Sequence, residues 1–117
     1  MNRPIYEMKA EFFKTLGHPA RIRVLEVLGE GPHSVSDLQP KVGIESSHLS
    51  QQLAVLRKAG VVKSERKGNL MIYSVVDPSI FDLLQVAKEM LTRSLFGAQE
   101  LLADLETVEF SVDRKSL

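Results

Sequence analysis

The chain has 117 residues, with 15 basic side chains, 15 acidic side chains and no cysteine. This length is that of one domain, and a composition of 44% hydrophobic and 26% charged residues is ordinary for a globular protein. The lack of cysteine excludes disulfides, thiolate metal sites and a cysteine nucleophile. No apolar run approaches the roughly 18 residues that span a bilayer, and no signal-peptide pattern is present. We therefore expect a cytoplasmic protein with no membrane partner.

The net charge of zero hides an uneven distribution. Residues 1–76 contain 11 basic and 7 acidic side chains, a charge of +4, whereas residues 77–117 contain 4 basic and 8 acidic side chains, a charge of −4. The most electropositive stretch is 41–73, where six cations face only Glu45 and Glu65. A neutral chain can therefore carry a basic face suited to phosphate. The alternative is that these cations are ordinary solvated surface charges.

Two helices are predicted before residue 30. Apolar side chains at helical spacing predict the first over 5–16, and Gly17 ends it. The second is predicted over about 19–29, because Pro19 is a favoured first helical residue and Gly29 stops the periodic pattern. Both helices have an apolar face, so both are expected to pack against other elements.

A helix-turn-helix is predicted over 34–59. A capping-box pattern at Ser34 opens a short helix that contains Pro40, which removes an intrahelical hydrogen bond. A second helical pattern covers 45–59, with its leucines on one stripe. Only Gly43-Ile44 separates the two helices, and so tight a connection is typical of the motif.

A β-hairpin is predicted over 61–76. Two strand-like runs flank Gly68-Asn69, and such a pair is a good hairpin signal. Arg66 and Lys67 place two cations at the tip of the hairpin. A basic β-ribbon can follow a phosphate backbone or enter the minor groove. The alternative is that these cations protect an exposed strand edge from aggregation.

The last predicted helix covers 78–105, with Asp77 as N-cap and Pro78 in the first turn. Its broad apolar stripe predicts that one part packs in the core and the rest against a second copy, giving a homodimer; the alternative is a core helix of one subunit. The stripe residues predicted at the interface are Leu84, Ala87, Leu91, Leu95, Ala98 and Leu101. Residues 1–106 are thus predicted to form one domain, and residues 107–117 a flexible tail.

The helix over 45–59 is predicted to expose a polar face. On a helical wheel, Leu49, Leu53 and Leu56 share one arc, and the opposite arc is polar and uncharged in its first two turns. Serine and glutamine can hydrogen-bond base edges in the major groove, whereas arginine and lysine suit phosphates. The alternative is an ordinary solvated helix face. The predicted DNA contacts, including the hairpin tip, are Ser46, Ser47, His48, Ser50, Gln51, Gln52, Arg57, Lys58, Arg66, Lys67 and Asn69.

Three stretches of the chain resemble the sequences of a known protein family. They are FFKTLGHPARIRVL (12–25), LSQQLAVLRKAGVV (49–62) and RKGN (66–69), and together they strongly resemble the ArsR/SmtB family of bacterial and archaeal transcriptional regulators. The similarity extends to mycobacterial and actinobacterial members that carry an AEFFKTL opening like residues 10–16. The resemblance covers about residues 8–92.

The resemblance implies a fold, an assembly and a function. The fold is mainly α-helical, a winged helix-turn-helix of about five helices with a β-hairpin wing, in which 45–59 is the recognition helix and 61–76 the wing. The assembly is a homodimer joined through the first and last helices, 1–16 and 78–105, which adds Phe12 to the predicted interface. The implied function is binding to an imperfect palindrome in a promoter, usually as a repressor that an inducer releases.

The chain departs from the family pattern at the usual sensing sites. Many members place cysteines at the start of the third helix, where this chain has His33 to Asp37, and others use aspartate and histidine in the last helix, where 78–105 contains no histidine. We therefore predict no metal site and no cofactor. Carboxylates that suit a hard cation are the alternative, although they more simply solvate the last helix; they are Asp82, Glu89, Glu100 and Asp104. Glu45 replaces the small cap residue usual in the family, and Ser46 is the alternative cap.

The leading hypothesis is a dimeric transcriptional regulator that binds double-stranded DNA. The alternative is a protein-interaction module that acts through the apolar last helix. An enzyme is not expected, because the chain has no phosphate-binding glycine loop, zinc-protease motif or nucleophile elbow. The effector stays open between an unusual metal site, a small apolar ligand at the dimer interface, a partner protein and no effector at all.

Overall fold

The computed structural model describes residues 2–106, and for Phe96 and residues 98–106 it describes the backbone only. Its elements are α1 (Ile5–Leu16), α2 (Pro19–Leu28), β1 (His33–Ser34), α3 (Val35–Val42), α4 (Ser46–Lys58), β2 (Val62–Lys67), β3 (Leu70–Val75) and α5 (Ser79–Glu106). Among the described residues, 2–81 form one compact unit and 82–106 form a second. Five helices and a small antiparallel sheet within the described residues confirm the predicted winged helix-turn-helix fold. The predicted tail, 107–117, lies outside the described residues.

Helix α2 lies at the centre of the first unit. The ring of His18 begins it, because His18 Nδ1 accepts a hydrogen bond from the Ala20 N–H at 3.1 Å and so satisfies a free donor of the first turn. Pro19 follows as the first helical residue, as predicted. Val24 and Leu25 are completely buried, and α2 contacts α3, α4 and β3.

The helix-turn-helix consists of α3 and α4. Ser34 Oγ accepts from the Asp37 N–H at 3.1 Å, which is one half of the predicted capping box. The other partner of the Ser34 hydroxyl is the hydroxyl of Ser36 at 3.1 Å. Gly43 ends α3 with a φ of 83°, a left-handed conformation that a side chain would strain. The predicted tight turn between the helices is therefore present.

The wing is a three-stranded antiparallel sheet in the order β1-β3-β2. Strands β2 and β3 pair from Val62↔Val75 to Lys67↔Leu70, and Gly68 takes the positive φ, 63°, that a two-residue hairpin turn needs. The predicted hairpin is therefore correct, but β1 is an additional strand. It has only two residues, paired as His33↔Tyr73 and Ser34↔Ile72. Two residues are too few to produce the alternation by which strands are predicted.

The core of the first unit is formed by α2, α3, α4 and the sheet. Its fully buried leucines are Leu25, Leu38, Leu49, Leu53 and Leu56. Helix α4 contacts α2, α3 and β2, so its rotation about its own axis is fixed by packing on three elements. Within residues 2–106, no helix combines the length and the apolarity that crossing a membrane requires.

Candidate nucleic-acid interface

The face of α4 opposite the core is polar and exposed. Burial of Leu49, Leu53 and Leu56 orients the helix, so the residues on the other side point to solvent. The exposed residues on that side are Ser46, Ser47, Ser50, Gln51, Ala54 and Lys58. The first two turns of this face therefore offer hydroxyl and amide groups, which match the donors and acceptors on base edges.

The start of α4 differs from the predicted alternative in which Ser46 is the cap. Glu45 occupies the N-cap position and makes no side-chain capping hydrogen bond. Ser46 Oγ instead donates to Gln39 Oε1 of α3 at 3.0 Å, and Ser47 Oγ donates to Glu45 Oε1 at 2.7 Å. The Ser46 bond joins the two helices of the motif. The first backbone N–H groups of α4 have no side-chain cap, so they remain able to bind an anion.

Gln52 does not belong to the exposed face on which it was predicted. Its side chain is buried, with 7% exposure, and Gln52 Oε1 accepts a hydrogen bond from Arg21 Nε at 2.8 Å. A buried amide needs such a partner, because an unpaired one would cost free energy. Its prediction as a DNA contact is therefore corrected: Gln52 holds α4 against α2.

His48 is half-buried on the flank of α4. Its ring lies edge-on to the ring of His18, with 6.0 Å between the ring centroids. Since His18 caps α2, His48 packs against the first turn of that helix. This contact supports the position of α4 and leaves part of the His48 side chain exposed beside the polar face.

The basic side chains near this face come from the end of α4 and from the wing tip. Arg57 and Lys58 are exposed in the last turn of α4, and Arg66, Lys67 and Asn69 are exposed at the hairpin. Lys67 Nζ lies 3.9 Å from Glu65 Oε1, but both side chains are well exposed, so this ion pair is weak. With the described side chains, which exclude those of Phe96 and 98–106, Arg57, Lys58 and Arg66 form no ion pair.

Of the six cations in residues 41–73, Lys41 has its charge neutralised by a nearby carboxylate. Lys41 Nζ donates to Glu30 Oε1 at 2.9 Å and lies 3.1 Å from His33 Nε2. The hydrogen bond from Lys41 and its charge lower the pKa of the Glu30 carboxyl below its usual value. Lys41 therefore belongs to a local cluster between α2 and α3.

The DNA contacts predicted from the sequence leave out two exposed charged residues of α4 and the wing. Glu45 places a carboxylate at the start of α4, and Lys63 adds a cation on β2. The strand pattern contains a signal for Lys63, because Val62 is buried and the next side chain must point to the opposite face. For Glu45 the signal is its position directly before the first helical residue.

The comparisons with known proteins agree with this geometry. Residues 18–64 match the profile described as "Bacterial regulatory protein, arsR family". The chain is 56% identical over 105 residues to the HTH-type transcriptional regulator Rv0081 of Mycobacterium tuberculosis, covering 89% of this chain and 92% of that protein. The chain belongs to the arsR family. Proteins of this family that match the chain are transcriptional regulators and not enzymes, as predicted.

Solved structures of arsR-family relatives have the same fold. The crystal structure of M. tuberculosis Rv0081 matches with a TM-score of 0.72 at 59% identity, covering 80% of this chain and 95% of that one. A homodimeric winged helix-turn-helix DNA-binding domain, Mb0332 of Mycobacterium bovis, matches with a TM-score of 0.68 at 26% identity, covering 76% and 86%. The repressor BigR of Xylella fastidiosa matches with a TM-score of 0.65 at 33% identity, covering 77% and 96%. The chain is thus an arsR-family DNA-binding transcriptional regulator, and DNA is its partner.

The residues predicted at a dimer interface lie on two helices. Phe12 of α1 is 37% exposed, and on α5 Leu84 is half-buried whereas Ala87, Leu91 and Leu95 are exposed. The side chains of Ala98 and Leu101 lie outside the described part of the chain. Apart from Phe12, α1 exposes further large apolar side chains, which are Ile5, Tyr6, Met8 and Phe13.

The alternative carboxylate metal site involves residues that the structure describes only in part. Among the described side chains, no group of three histidine, aspartate or glutamate residues is arranged to hold a metal ion. Asp82 and Glu89 are exposed on α5, and Glu89 Oε2 accepts from Gln85 Nε2 at 3.3 Å. The side chains of Glu100 and Asp104 lie outside the described residues.

Proposed function

We propose that this arsR-family regulator is a homodimeric repressor that binds an imperfect palindromic operator in the cytoplasm. The exposed face of α4 enters the major groove, and the wing tip contacts the phosphate backbone or the adjacent minor groove. The side chains proposed to contact DNA are Ser46, Ser47, His48, Ser50, Gln51, Arg57, Lys58, Arg66, Lys67 and Asn69. No cofactor is required for binding.

The observation that carries the proposal is the exposed polar face of α4 next to a basic wing. Gln51 can pair bidentately with adenine, and the serine hydroxyls can donate to or accept from several base edges. Arg57 and Lys58 follow at the end of the same helix, and Arg66 and Lys67 lie at the turn between β2 and β3. Base-reading groups and phosphate-binding groups therefore occur in one compact unit.

The homodimer is supported by apolar exposure. On α5, Leu91 is 70% exposed and Leu95 is 59% exposed, which is unfavourable for a helix face in water. A face of this kind is stabilised by a second copy of itself, since a two-fold interface places the same patch on both subunits. The relative Mb0332 is homodimeric. Two-fold symmetry in the protein would match a palindrome in the DNA.

Repression is proposed by analogy with relatives. The biofilm growth-associated repressor of Xylella fastidiosa is 35% identical to the chain over 91 residues. A dimer bound across a promoter blocks access to it, so tight operator binding is sufficient for repression.

The test is fluorescence anisotropy with a DNA duplex from the promoter upstream of the protein's own gene and a shuffled duplex of equal composition. We expect at least about 1,000-fold tighter binding to the promoter at physiological salt. With about eight phosphate contacts per dimer, the logarithm of the affinity should fall with log salt at a slope of about −7. Equal binding to both duplexes would exclude sequence-specific regulation. Run-off transcription from the same promoter then distinguishes repression from activation.

The second candidate is a protein-interaction module, which the exposed apolar face of α5 also favours. Light scattering after size exclusion separates the two readings. A stable dimer of twice the monomer mass supports the proposed regulator, because the dimer interface then covers that face. A monomer at micromolar concentration favours a different protein partner.

A further inference from the structure

An open pocket of about 340 Å³ lies at the surface of α1 and α2, and it is called the cavity below. Its lining residues are Glu11, Lys14, Thr15 and Arg21. All four belong to the compact unit that ends at Phe81. The volume is within the range of small-ligand pockets, which begins at about 300 Å³.

The cavity has the charge of an anion site. Lys14 and Arg21 contribute two cations, and the single carboxylate, of Glu11, is already bonded to Arg3 Nη1 at 3.0 Å. That hydrogen bond lowers the pKa of the Glu11 carboxyl below its usual value. Among the side chains that the structure describes, Lys14 Nζ has no ion-pair partner and no hydrogen-bond partner. Its charge is therefore available to a bound oxyanion.

The guanidinium of Arg21 is held by two hydrogen bonds and has further N–H donors that are not used. Its Nε donates to Gln52 Oε1 at 2.8 Å, and its Nη1 donates to the carbonyl oxygen of Thr15 at 3.0 Å. A guanidinium has five N–H donors, and these two bonds use two of them. The other three have no hydrogen-bond partner among the described residues. A guanidinium held at Nε and Nη1 keeps Nη2 and the second N–H of Nη1, which can still donate to a carboxylate or phosphate group.

The same two bonds connect the cavity to the DNA-reading helix. Thr15 lies in the last turn of α1, whereas Gln52 lies on the buried side of α4, next to the exposed Gln51. A ligand that draws the guanidinium into the cavity must compete with the Arg21–Gln52 hydrogen bond. Loss of that bond loosens α4, and a loosened α4 binds DNA less tightly. The ligand and the operator would then each weaken the binding of the other.

We propose that this cavity binds a small oxyanion, the carboxylate or phosphate group of a small molecule, and that Arg21 is a positioning residue that transmits its binding to α4. The binding step stands on the cavity alone, and the transmission step rests on the proposed function. Lys14 supplies the point charge, and Arg21 supplies the remaining N–H donors. The ligand therefore acts as an inducer that releases DNA.

The binding step is tested by isothermal titration calorimetry of the full chain with inorganic phosphate, acetate and succinate at constant ionic strength. We expect at least one of them to bind with a dissociation constant of about 1 mM or tighter. Binding should be about 10-fold weaker in Lys14→Gln. Lys9→Gln is the matched control, because Lys9 is also an exposed lysine of α1 but does not line the cavity.

The pattern of responses identifies the source of the oxyanion. Binding of phosphate alone points to a phosphorylated molecule, and binding of acetate or succinate points to an organic acid. Failure of all three probes to bind overturns the proposal. It is also overturned if Lys9→Gln weakens binding as much as Lys14→Gln does, since the effect would then be general electrostatics.

The transmission step is tested by promoter anisotropy with and without the probe that binds, again at constant ionic strength. We expect the probe to weaken DNA binding of the wild type about fivefold or more. Lys14→Gln should lose this response while keeping the wild-type DNA affinity without the probe. If Lys14→Gln instead weakens DNA binding in the absence of the probe, the cavity is a DNA phosphate contact and the proposal is wrong.

Gln52→Met separates binding from transmission. Methionine keeps the length of the side chain but cannot accept a hydrogen bond from Arg21. We expect the probe to bind this variant at least as tightly as it binds the wild type, because no Arg21–Gln52 hydrogen bond has to be broken, and we expect it not to weaken the DNA binding of the variant any further. A full response in Gln52→Met would show that Arg21 does not transmit the signal. Should the wild type bind no DNA at all, the proposed function fails, but the calorimetric result on the cavity still stands.

Discussion

The exposed face of α4 is polar, whereas the exposed face of α5 beyond Phe81 carries large apolar side chains. On α4, Ser47, Ser50 and Gln51 are exposed and can be hydrated at little cost when no DNA is present. On α5, Leu91 and Leu95 are exposed, and each loses about 1.5–3 kcal/mol relative to a fully buried position. The polar face of α4 is therefore stable in water without DNA, whereas the apolar face of α5 is stabilised only when another surface covers it. A reversible DNA contact and a lasting protein contact are therefore expected on different helices.

Charge follows the same division. The basic half of the chain, residues 1–76, contains α4 and the wing, and the acidic half contains α5. DNA would repel an acidic surface on α5. In a complex with DNA, the basic half of the chain is therefore expected to face the DNA and the acidic half is not. The net charge of the chain is zero because the +4 of residues 1–76 and the −4 of residues 77–117 cancel.

The largest expected effect comes from breaking the apolar surface. Leu91→Glu places a charge on the exposed stripe of α5 and should convert the dimer to a monomer in light scattering. Because a palindrome is bound by two linked subunits, operator affinity should fall by at least about 100-fold. Thr92→Glu is the matched control, since it adds the same charge at the adjacent exposed position outside the predicted stripe. Unchanged mass and affinity in Leu91→Glu would contradict the dimer interface proposed on α5.

Two neighbouring glutamines of α4 have opposite surroundings, since Gln51 is exposed and Gln52 is buried. Gln51→Ala should lower discrimination between the operator and single-base variants by about 1–3 kcal/mol, with stability unchanged. Gln52→Ala should lower the free energy of unfolding by about 1–3 kcal/mol, because it leaves the Arg21 donor without its acceptor. Urea denaturation and competition anisotropy on both variants measure the two quantities. If Gln51→Ala lowers stability and Gln52→Ala does not, the structural role proposed for Gln52 belongs to Gln51 instead.

Local sequence signals predicted most of the fold. Glycine and proline positions set the ends of α1 and α2 to within a residue, because Gly17 and Pro19 impose backbone preferences that depend little on tertiary contacts. The hairpin followed from Gly68-Asn69 for the same reason. Strand β1 could not be predicted, because its two residues are extended only through pairing with β3, about 40 positions later in the chain.

The prediction that Gln52 contacts DNA was wrong because it rested on the polarity of the side chain alone. The helical wheel places Gln52 about 60° from Leu49, on the buried side, but an amide was expected to face solvent. Its acceptor role depends on Arg21, which is 31 positions earlier in the chain. A one-dimensional pattern does not contain such a pairing. The exposed members of the face were easier to predict, since their environment is set by the leucines of the same helix.

A smaller effect is expected at the wing tip. Arg66→Ala removes one exposed cation per subunit and should weaken binding to all DNA sequences by a similar few-fold factor. The slope of log affinity against log salt should become less steep by about 2 for the dimer, one unit per lost phosphate contact. Lys9→Ala removes a cation from α1 and is the control for overall charge. A change in base preference in Arg66→Ala would mean that the wing reads bases.

The smallest effect concerns the junction at which the basic half of the chain ends and α5 begins. Asp77 Oδ1 accepts from the Ser79 N–H at 3.0 Å and from the Ser79 hydroxyl at 2.8 Å. These hydrogen bonds, that of the backbone first, lower the pKa of the Asp77 carboxyl below its usual value. A carboxyl group whose folded pKa is lowered stabilises the fold above its unfolded pKa, about 4, and loses that contribution as the pH falls through the folded value.

The stability difference between the wild type and Asp77→Ala should therefore be constant from about pH 7 to 5 and should shrink below about pH 4. Asp77→Asn keeps a capping side chain that does not titrate, so its advantage over Asp77→Ala should not change with pH. Urea denaturation of the three proteins across this range makes the comparison. If the wild type and Asp77→Asn lose stability in parallel below pH 4, the acid sensitivity arises elsewhere, and Glu11 and Glu30, whose pKa values are also lowered by ion pairs, become the next positions to substitute.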